Sequence, residues 1–512
     1  MTRAVQRHWE RACEYLRQRR IDAARVEGEA LRALAPGDVR VRILAAQIAW
    51  NEDRVRDAAA CALDAVAVAP DDPDLLGDLV ETLLQTGESA AARRLLDRPA
   101  WGSEAAADAR VRQALLLQAV GETRPALERF DALVALDGDN VTLRFARAQA
   151  QAELGFGTAA EDEYLACLVL APGFGQAAYR LVQLRTQTAR HRRLRLIAAG
   201  LARAELPPPA RAAFEFAAYH VHEDRGDHPA AWAALARGSA LMHAWCGPEA
   251  ARQRAGLQRL IGRLAELPSR GGSAHDGPCP IFIVGLPHSG AALLAYLLGG
   301  HPDVAIAGEL VDFGQQLLRV ADTRSVHAET LLARLPGLDL AEVGRRYLAQ
   351  AGWRARGRTH FVDTQPFNWM SIGLIHAALP RARVLHVLRS PMDAAFANHR
   401  AIASGADAWA HDFATLAAHQ RACTGLLRHW HDTLPGTVMD VRYEDLLASP
   451  KATLARVQAF CGLDQPRGEV ASADGCAGAP VRVPPRIELP GLWRHYAAEL
   501  EPLRRALLAP AT

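Results

Sequence analysis

At 512 residues the chain has material for two or more domains with hydrophobic cores of their own. Half of its residues are hydrophobic and 23% are charged, an ordinary globular composition that excludes a disordered or fibrous chain. A formal net charge of +2 supplies no global field for nucleic acid or membrane, so any anion site must be local. The eight cysteines, at positions 13, 61, 167, 246, 279, 423, 461 and 476, are scattered without a C-x-x-C pair, and are expected to be reduced, mostly buried thiols. The first residues, MTRAVQRHWERACEYLRQRR, lack an apolar core of signal-peptide length, and no run of eighteen apolar residues occurs. A cytoplasmic location is therefore expected, with no nucleic acid and no membrane among the partners.

The first half repeats with a period of 34. Alanines stand at 24, 58, 92, 126 and 160, and a second register holds Asp53, Gly87, Gly121 and Gly155. A third places Pro36, Pro70, Gly138 and Pro172 on the same ruler, with Glu104 departing from it. Within the best copies, Ala126-x3-Phe130-x-Ala132 matches Ala160-x3-Tyr164-x-Ala166. The physical reading is a helical hairpin: glycine turns between two helices, alanine lets them approach closely, and proline starts the next unit. Beyond residue 175 the phase is lost, then Gly226-Asp-His-Pro-Ala-Ala231 resumes the glycine-to-alanine spacing of five. Three coincident registers resemble a tetratricopeptide (TPR) array, expected over residues 1–265, whose concave face would bind a protein or peptide.

Residues 266–279 read as a linker, since PSRGGSAHDGPC combines Pro, Gly, Ser and Asp without periodicity. From 280 to 512 the pattern becomes alternating strands and helices. Strands are expected at 280–284, 361–363, 383–388 and 437–442, with helices at 369–379 and 408–433. That predicts a three-layer α/β domain on a mostly parallel sheet, with ligands at the carboxyl ends of the strands. One such end carries the loop Gly285-Leu-Pro-His-Ser-Gly290, before an Ala/Leu-rich helix, and another carries Arg389.

A glycine-bounded turn between strand and helix aims several backbone N–H groups at one spot, and the helix N-terminus adds positive potential. The loop is P-loop-like and suits phosphate or sulfate. It is not a nucleotide triphosphatase signature, because Ala291 and Ala292 stand where Lys and Ser/Thr would follow the second glycine. The histidines, His376, His386 and His399 among them, show no metal-ligand spacing, so no metal site is expected.

The strings PIFIVGLPHSGAALL, HPDV, GEL, FVDTQPFNWMSIGLIHAALPRARVLHVLRSPMDAAFANHR and LPGTVMDVRYEDLLASPKATLARVQAFCGLD, in that order, resemble sulfotransferases. The likeness is to bacterial TPR-containing sulfotransferases, whose catalytic domain is similar to that of tyrosylprotein sulfotransferases, and it covers residues 280–505. The resemblance implies transfer of a sulfuryl group from 3′-phosphoadenosine 5′-phosphosulfate (PAPS), without a metal, to a hydroxyl on a peptide tyrosine, glycan or small molecule. It implies that Pro287, His288, Ser289, Gly290, Ala291 and Ala292 hold the 5′-phosphosulfate and that Arg389 holds the 3′-phosphate. Glu309 matches the carboxylate used as general base, Tyr443 a position that contacts the cofactor, and Arg482 a retained basic residue, with Arg494 a further candidate.

The departures all point one way. His288 stands for the loop's Arg or Lys, Ala291 and Ala292 for a Thr pair, Thr364 for a usual Lys, and Ala397, eight residues after Arg389, for the 3′-phosphate serine. Leu489 and Leu492 replace a Ser and a basic residue. Each hydrogen bond to a charged group contributes about 1.5–3 kcal/mol, so their loss weakens cofactor binding. His288 remains a potential donor for the transferring group, beside Glu309 as base. The alternative expectation is a catalytically impaired domain whose TPR array acts as a scaffold.

Overall fold

The computed structural model describes residues 3–102, 106–184, 190–264, 276–324, 330, 333–403, 409–464 and 487–509. Through residue 264 they form only helices, joined mostly by turns of a few residues: α1 (Arg3–Arg17) with α2 (Ile21–Leu34), α3 (Val39–Asn51) with α4 (Val55–Val66), α5 (Pro73–Gln85) with α6 (Ser89–Leu96), and α7 (Ala107–Ala119) with α8 (Thr123–Leu136). Then come α9 (Val141–Glu153) with α10 (Gly157–Leu170), α11 (Gly175–Gln183), α12 (Arg190–Leu201), and α13 (Pro208–Asp224) with the long α14 (His228–Leu264). Among the described residues no helix is long and apolar enough to cross a membrane.

The 34-residue registers have a direct structural meaning. The turn inside each of the first five hairpins holds one residue at positive φ: Arg19 (58°), Asp53 (62°), Gly87 (80°), Gly121 (87°) and Gly155 (85°). Arg19 thus extends the register one unit earlier, with a residue type that gave no signal in sequence. Five residues after each turn, Ala24, Ala58, Ala92, Ala126 and Ala160 are fully buried, as is Ala231 after Gly226. A methyl group is the largest side chain that lets two helix backbones pack at these points.

The second half is built on five parallel strands, β1 (Cys279–Val284), β2 (Val304–Gly308), β3 (His360–Asp363), β4 (Arg383–Leu388) and β5 (Val438–Arg442), in the order β2-β3-β1-β4-β5. Ile281 pairs with Val362 on one side and Arg383 on the other, which makes β1 the central strand. The helices are α15 (Ala291–Gly299), α16 (Asp312–Ala321), α17 (Leu340–Ala351), α18 (Ile372–Ala378), α19 (Pro391–His399), α20 (Phe413–Thr433), α21 (Tyr443–Ala448), α22 (Pro450–Cys461) and α23 (Glu501–Leu508). Phe282, Val284 and Val384 pack on one face with Tyr347 and Trp430, while Ile281, Ile283 and Leu385 pack on the other with Leu294 and Val457. Strand β2 is absent from the sequence expectation, and α20 begins at Phe413 instead of 408. Ser449 stands before Pro450 as the N-cap position, yet its side chain makes no capping hydrogen bond.

The helical half lies directly on the sheet domain, and the repeat turns make the contact. Gln316 Nε2 donates to the Gly87 carbonyl at 2.7 Å, and Gln315 Nε2 donates to that of Leu84 at 3.1 Å. One turn earlier, the Asp53 carboxylate accepts from Thr323 Oγ1 at 2.9 Å and from the Arg324 N–H at 2.6 Å. Ser89 Oγ donates to Asp312 at 2.7 Å. Between them Glu88, only 3% exposed, accepts from Gln350 Nε2 at 2.8 Å and pairs with Arg346, with Arg319 at 3.4 Å. Gly87 admits no side chain, because a Cβ there would lie 2.8 Å from Gln316 Nε2 and φ is positive.

Removing a carboxylate from such a buried cluster leaves two guanidinium groups without their anion, a loss of about 3 kcal/mol or more. Glu88→Ala is expected to lower stability by that amount and to separate the unfolding of the two halves into distinct steps. Urea unfolding followed by circular dichroism checks this, and a loss under about 1 kcal/mol, the range of an exposed ion pair, would contradict it.

Candidate active site

The loop between β1 and α15 is shaped by two glycines, each for a separate steric reason. Gly285 has φ +144°, and a Cβ there would stand 2.9 Å from the Val387 carbonyl oxygen of β4. Gly290, at φ +111°, would place a Cβ 2.2 Å from the Tyr443 ring. His288 takes positive φ (60°) without being glycine, a strained conformation that turns its side chain outward, where it is exposed. Ser289 is buried, and its hydroxyl has no hydrogen-bond partner. Gly290 gives α15 no side-chain cap, so the first turn of that helix presents its N–H groups at the loop.

Arg389, just past the end of β4, is brought to the same loop. Its Nη1 donates to the His288 carbonyl at 3.0 Å, its guanidinium lies 4.8 Å over the Tyr443 ring, and its Nε is buried without a partner. Asn398 of α19 donates to the Pro287 carbonyl at 2.7 Å and fixes the outer side of the loop. Pro287, His288, Ser289, Gly290, Arg389 and Tyr443 therefore cluster at one end of the sheet. Ala291 and Ala292 form the first turn of α15 and bring no donor of their own beyond backbone N–H. Ala397 is buried on α19. Arg494 stacks on Trp493 at 5.7 Å. Arg482 lies outside the described residues.

Glu309 is exposed and directly follows β2 at the same end of the sheet, not in the loop. Strand β3 stands between β2 and β1, so two strand spacings, about 10 Å, separate Glu309 from the loop's root.

Three further residues escaped the sequence reading. Glu488 bridges two arginines: its Oε2 accepts from Arg389 Nη1 at 2.8 Å, and its Oε1 pairs with Arg400, the residue that follows α19. Burial alone would raise the Glu488 carboxyl, but Arg400, and then Arg389, hold it down to about 2. The third is Asp363, fully buried at the end of β3. It accepts from the N–H of Gln365 at 2.9 Å and of Leu310 at 3.3 Å, and from the Tyr347 hydroxyl at 2.9 Å. It thereby fixes the chain immediately after Glu309. Asp363 was present in the matched string DTQPF, but nothing in sequence distinguishes a buried brace from a surface aspartate. Arg400 closes the matched string FANHR without a role of its own there, and Glu488 sits in an irregular stretch with no periodicity.

Desolvation by the surrounding residues depresses the pKa of the His288 imidazole below its ordinary value. Arg400 and Arg389 add to the depression, and Glu488 opposes it. Elsewhere the fold gathers His386, His431 and Asp440, whose ligand atoms lie within 4.8 Å of one another, although their spacing in sequence signals nothing. Both imidazoles bond the same Asp440 oxygen, at 2.8 and 2.9 Å, which ties β4, β5 and α20 together.

The comparisons with known proteins agree with this geometry on one point. Residues 280–467 match the family model described as "Sulfotransferase family". This segment is a sulfotransferase family domain. An uncharacterized protein of Aquifex aeolicus is 26% identical over 269 residues, covering 50% of this chain and 35% of its own length. The nodulation protein NoeE of Sinorhizobium fredii is 32% identical over 130 residues, covering 22% of this chain and 30% of its own. The chain thus spans about a third of the length of these curated relatives. Solved structures similar to it include the sulfotransferase domain of the Synechococcus PCC 7002 olefin synthase, at 18% identity and TM-score 0.27, covering 48% of this chain and all of that one. Another is the sulfotransferase STF1 of Mycobacterium tuberculosis, at 16% identity and TM-score 0.28, covering 58% of this chain and 91% of that one.

The sulfotransferase domain carries a pH signature in Asp363. An unfolded aspartate titrates near ~3.9. Burial, with Asp312 adding to it, raises the folded carboxyl to about 7 against its hydrogen bonds. Between those values the native state keeps a proton that the unfolded chain has released, so stability falls as pH rises across that window and is level above it. Asp363→Asn is expected to flatten this limb, as checked by denaturant unfolding from about pH 4 to about 8. Parallel profiles for the two proteins would refute the assignment.

Proposed function

We propose that the chain is a PAPS-dependent sulfotransferase acting on a hydroxyl acceptor. In this reading a tetratricopeptide array over 1–265 is joined through 266–279 to the catalytic domain 280–512. One observation carries the proposal: the glycine loop, the uncapped start of α15 and Arg389 converge at one end of the sheet. There Ser289 Oγ and Arg389 Nε are buried donors without partners. Such a set fits an anionic group, and the family match of the same residues makes phosphosulfate the group of choice. PAPS supplies the activated sulfuryl group. The loop amides and His288 would hold it, Arg389 and Tyr443 would hold the nucleotide's second phosphate, and Glu309 would take the acceptor's proton. The distance of two strand spacings between Glu309 and the loop leaves room for an acceptor between them. A peptide tyrosine, a glycan or a small phenol each meets that requirement, and the helical array would recruit the acceptor or its carrier.

A second reading, a scaffold with impaired chemistry, draws on the alanines at 291, 292 and 397 and on the ion pair that already engages Arg389. Titration with adenosine 3′,5′-bisphosphate separates the two. On the enzyme reading the bisphosphate binds and Arg389→Ala weakens it by about 1.5–3 kcal/mol, roughly 10- to 150-fold. No binding by either protein would leave the scaffold reading.

His288 gives an independent handle. Its depressed pKa leaves the imidazole neutral at neutral pH in the free protein, so an incoming anion must draw a proton onto it. Sulfuryl transfer from labelled PAPS to phenolic and peptide acceptors is therefore expected to fall as pH rises through the His288 titration. His288→Arg should abolish that slope and raise the rate, since arginine stays charged, and Arg19 and Arg356 already stand at positive φ in this chain. A variant that keeps the slope would place the titration elsewhere.

A further inference from the structure

Arg389 and Arg400 are buried, with side chains 3% and 5% exposed, and they face one another across a single carboxylate. Each oxygen of Glu488 engages one guanidinium, the arrangement that two oxygens of a phosphate monoester would adopt between the same pair. We propose that Glu488 is an internal carboxylate filling an anion subsite built from Arg389 and Arg400, and that a phosphate group of the donor nucleotide binds there only by displacing it. The inference rests on the reading above that the site takes an anionic nucleotide, and it adds Arg400 as a binding residue.

Three observations support displacement over a fixed structural ion pair. The residues on either side of Glu488 are not held by packing: Ile487 is 53% exposed and Leu489 is 74% exposed. The segment is instead tethered by polar contacts, with the Tyr443 hydroxyl donating to the Glu488 carbonyl at 3.0 Å and the Gly491 N–H donating to Asp393 Oδ1 at 2.6 Å. Arg389 Nη1, the atom that pairs with Glu488, also bonds the His288 carbonyl, so the subsite is coupled directly to the phosphosulfate loop. Finally, the subsite has the charge for it. The groups facing it are His288 from the loop and Glu223, Tyr219 and Tyr496 from beside Arg400. A dianionic phosphate replacing a monoanionic carboxylate gains Coulomb attraction to both arginines, offset in part by repulsion from Glu223, whose charge also acts on Arg400.

The test uses the full-length protein and two probes, adenosine 3′,5′-bisphosphate and inorganic phosphate, titrated by calorimetry at fixed ionic strength. Glu488→Gln removes the competing charge. Glu488→Asp keeps it on a side chain one methylene too short to bridge both arginines, and serves if the first variant is too unstable to fold. Both are expected to bind the bisphosphate about tenfold tighter or more, the weight of one hydrogen bond between charged groups. Adding Arg400→Gln to either should erase the gain, and phosphate should restore thermal stability lost by Glu488→Gln. If the variants gain affinity for phosphate but show no preference for the bisphosphate, displacement stands and the nucleotide reading fails. If wild type and variants bind the bisphosphate equally, displacement is overturned and the nucleotide reading stands. If no form binds either anion, both are overturned.

Discussion

The parallel pairing of β1 with β4 is the constraint from which the rest of the site follows. Strands that run the same way end at the same edge, so the loop leaving β1 and the arginine leaving β4 must meet. They meet closely enough that Gly285 faces the Val387 carbonyl and Gly290 faces the Tyr443 ring, with no room for a methyl group at either. Arg389 then bonds the His288 carbonyl and stacks on Tyr443. None of these contacts uses the side chains at 291, 292 or 397. The loop is therefore held in shape by backbone, by Arg389 and by Asn398, and does not depend on the side chains at those three positions.

The helical half is not an appendage. The turns at Asp53 and Gly87 recur every 34 residues, and in the second and third hairpins these turns are the contact with α16 and the chain after it. A turn with positive φ exposes its carbonyl, and Gln316 reads that carbonyl at Gly87. In the fourth hairpin the carbonyl of Val120, beside the Gly121 turn, faces Arg354. A periodic feature that closes each hairpin thus also builds an interface. That edge is engaged by the sheet domain in these units. Helices α13 and α14 share a core with α19, α20 and Tyr496, so the two halves touch in two separate regions.

Much of this was legible in sequence where a rule links residue type to backbone. The alanine and glycine registers predicted close helix packing and tight turns between helices, and both hold at every repeat marked. The α/β alternation predicted the parallel sheet, and the glycine loop predicted its place at a strand end. The failures have physical causes. Strand β2, VAIAG, is short and small in side chains, so it carries no β-branched run to mark it. Arg19 fills a position where glycine is usual, because an exposed turn tolerates the strain of an arginine at positive φ. Asp363, Arg400 and Glu488 acquire their roles largely through partners far along the chain, up to 99 residues away, and local pattern carries no information on such pairings.

Glu488 shows why a degenerate site need not be an unfolded one. A guanidinium withdrawn from water must find an anion inside the protein or bring one in from outside. Arg389 and Arg400 are both withdrawn, and the chain itself provides the anion. With Glu488 in place the charges of the two arginines are neutralised in the absence of any ligand, although Arg389 Nε still lacks a hydrogen-bond partner, so the fold does not depend on nucleotide to neutralise them. The same contact raises the threshold for a ligand, which must outbid a carboxylate already desolvated and held well below its ordinary pKa. The enzyme and the scaffold readings therefore start from one ground state. They differ in a single quantity, the free-energy gap between Glu488 and an incoming phosphate on the same pair of arginines.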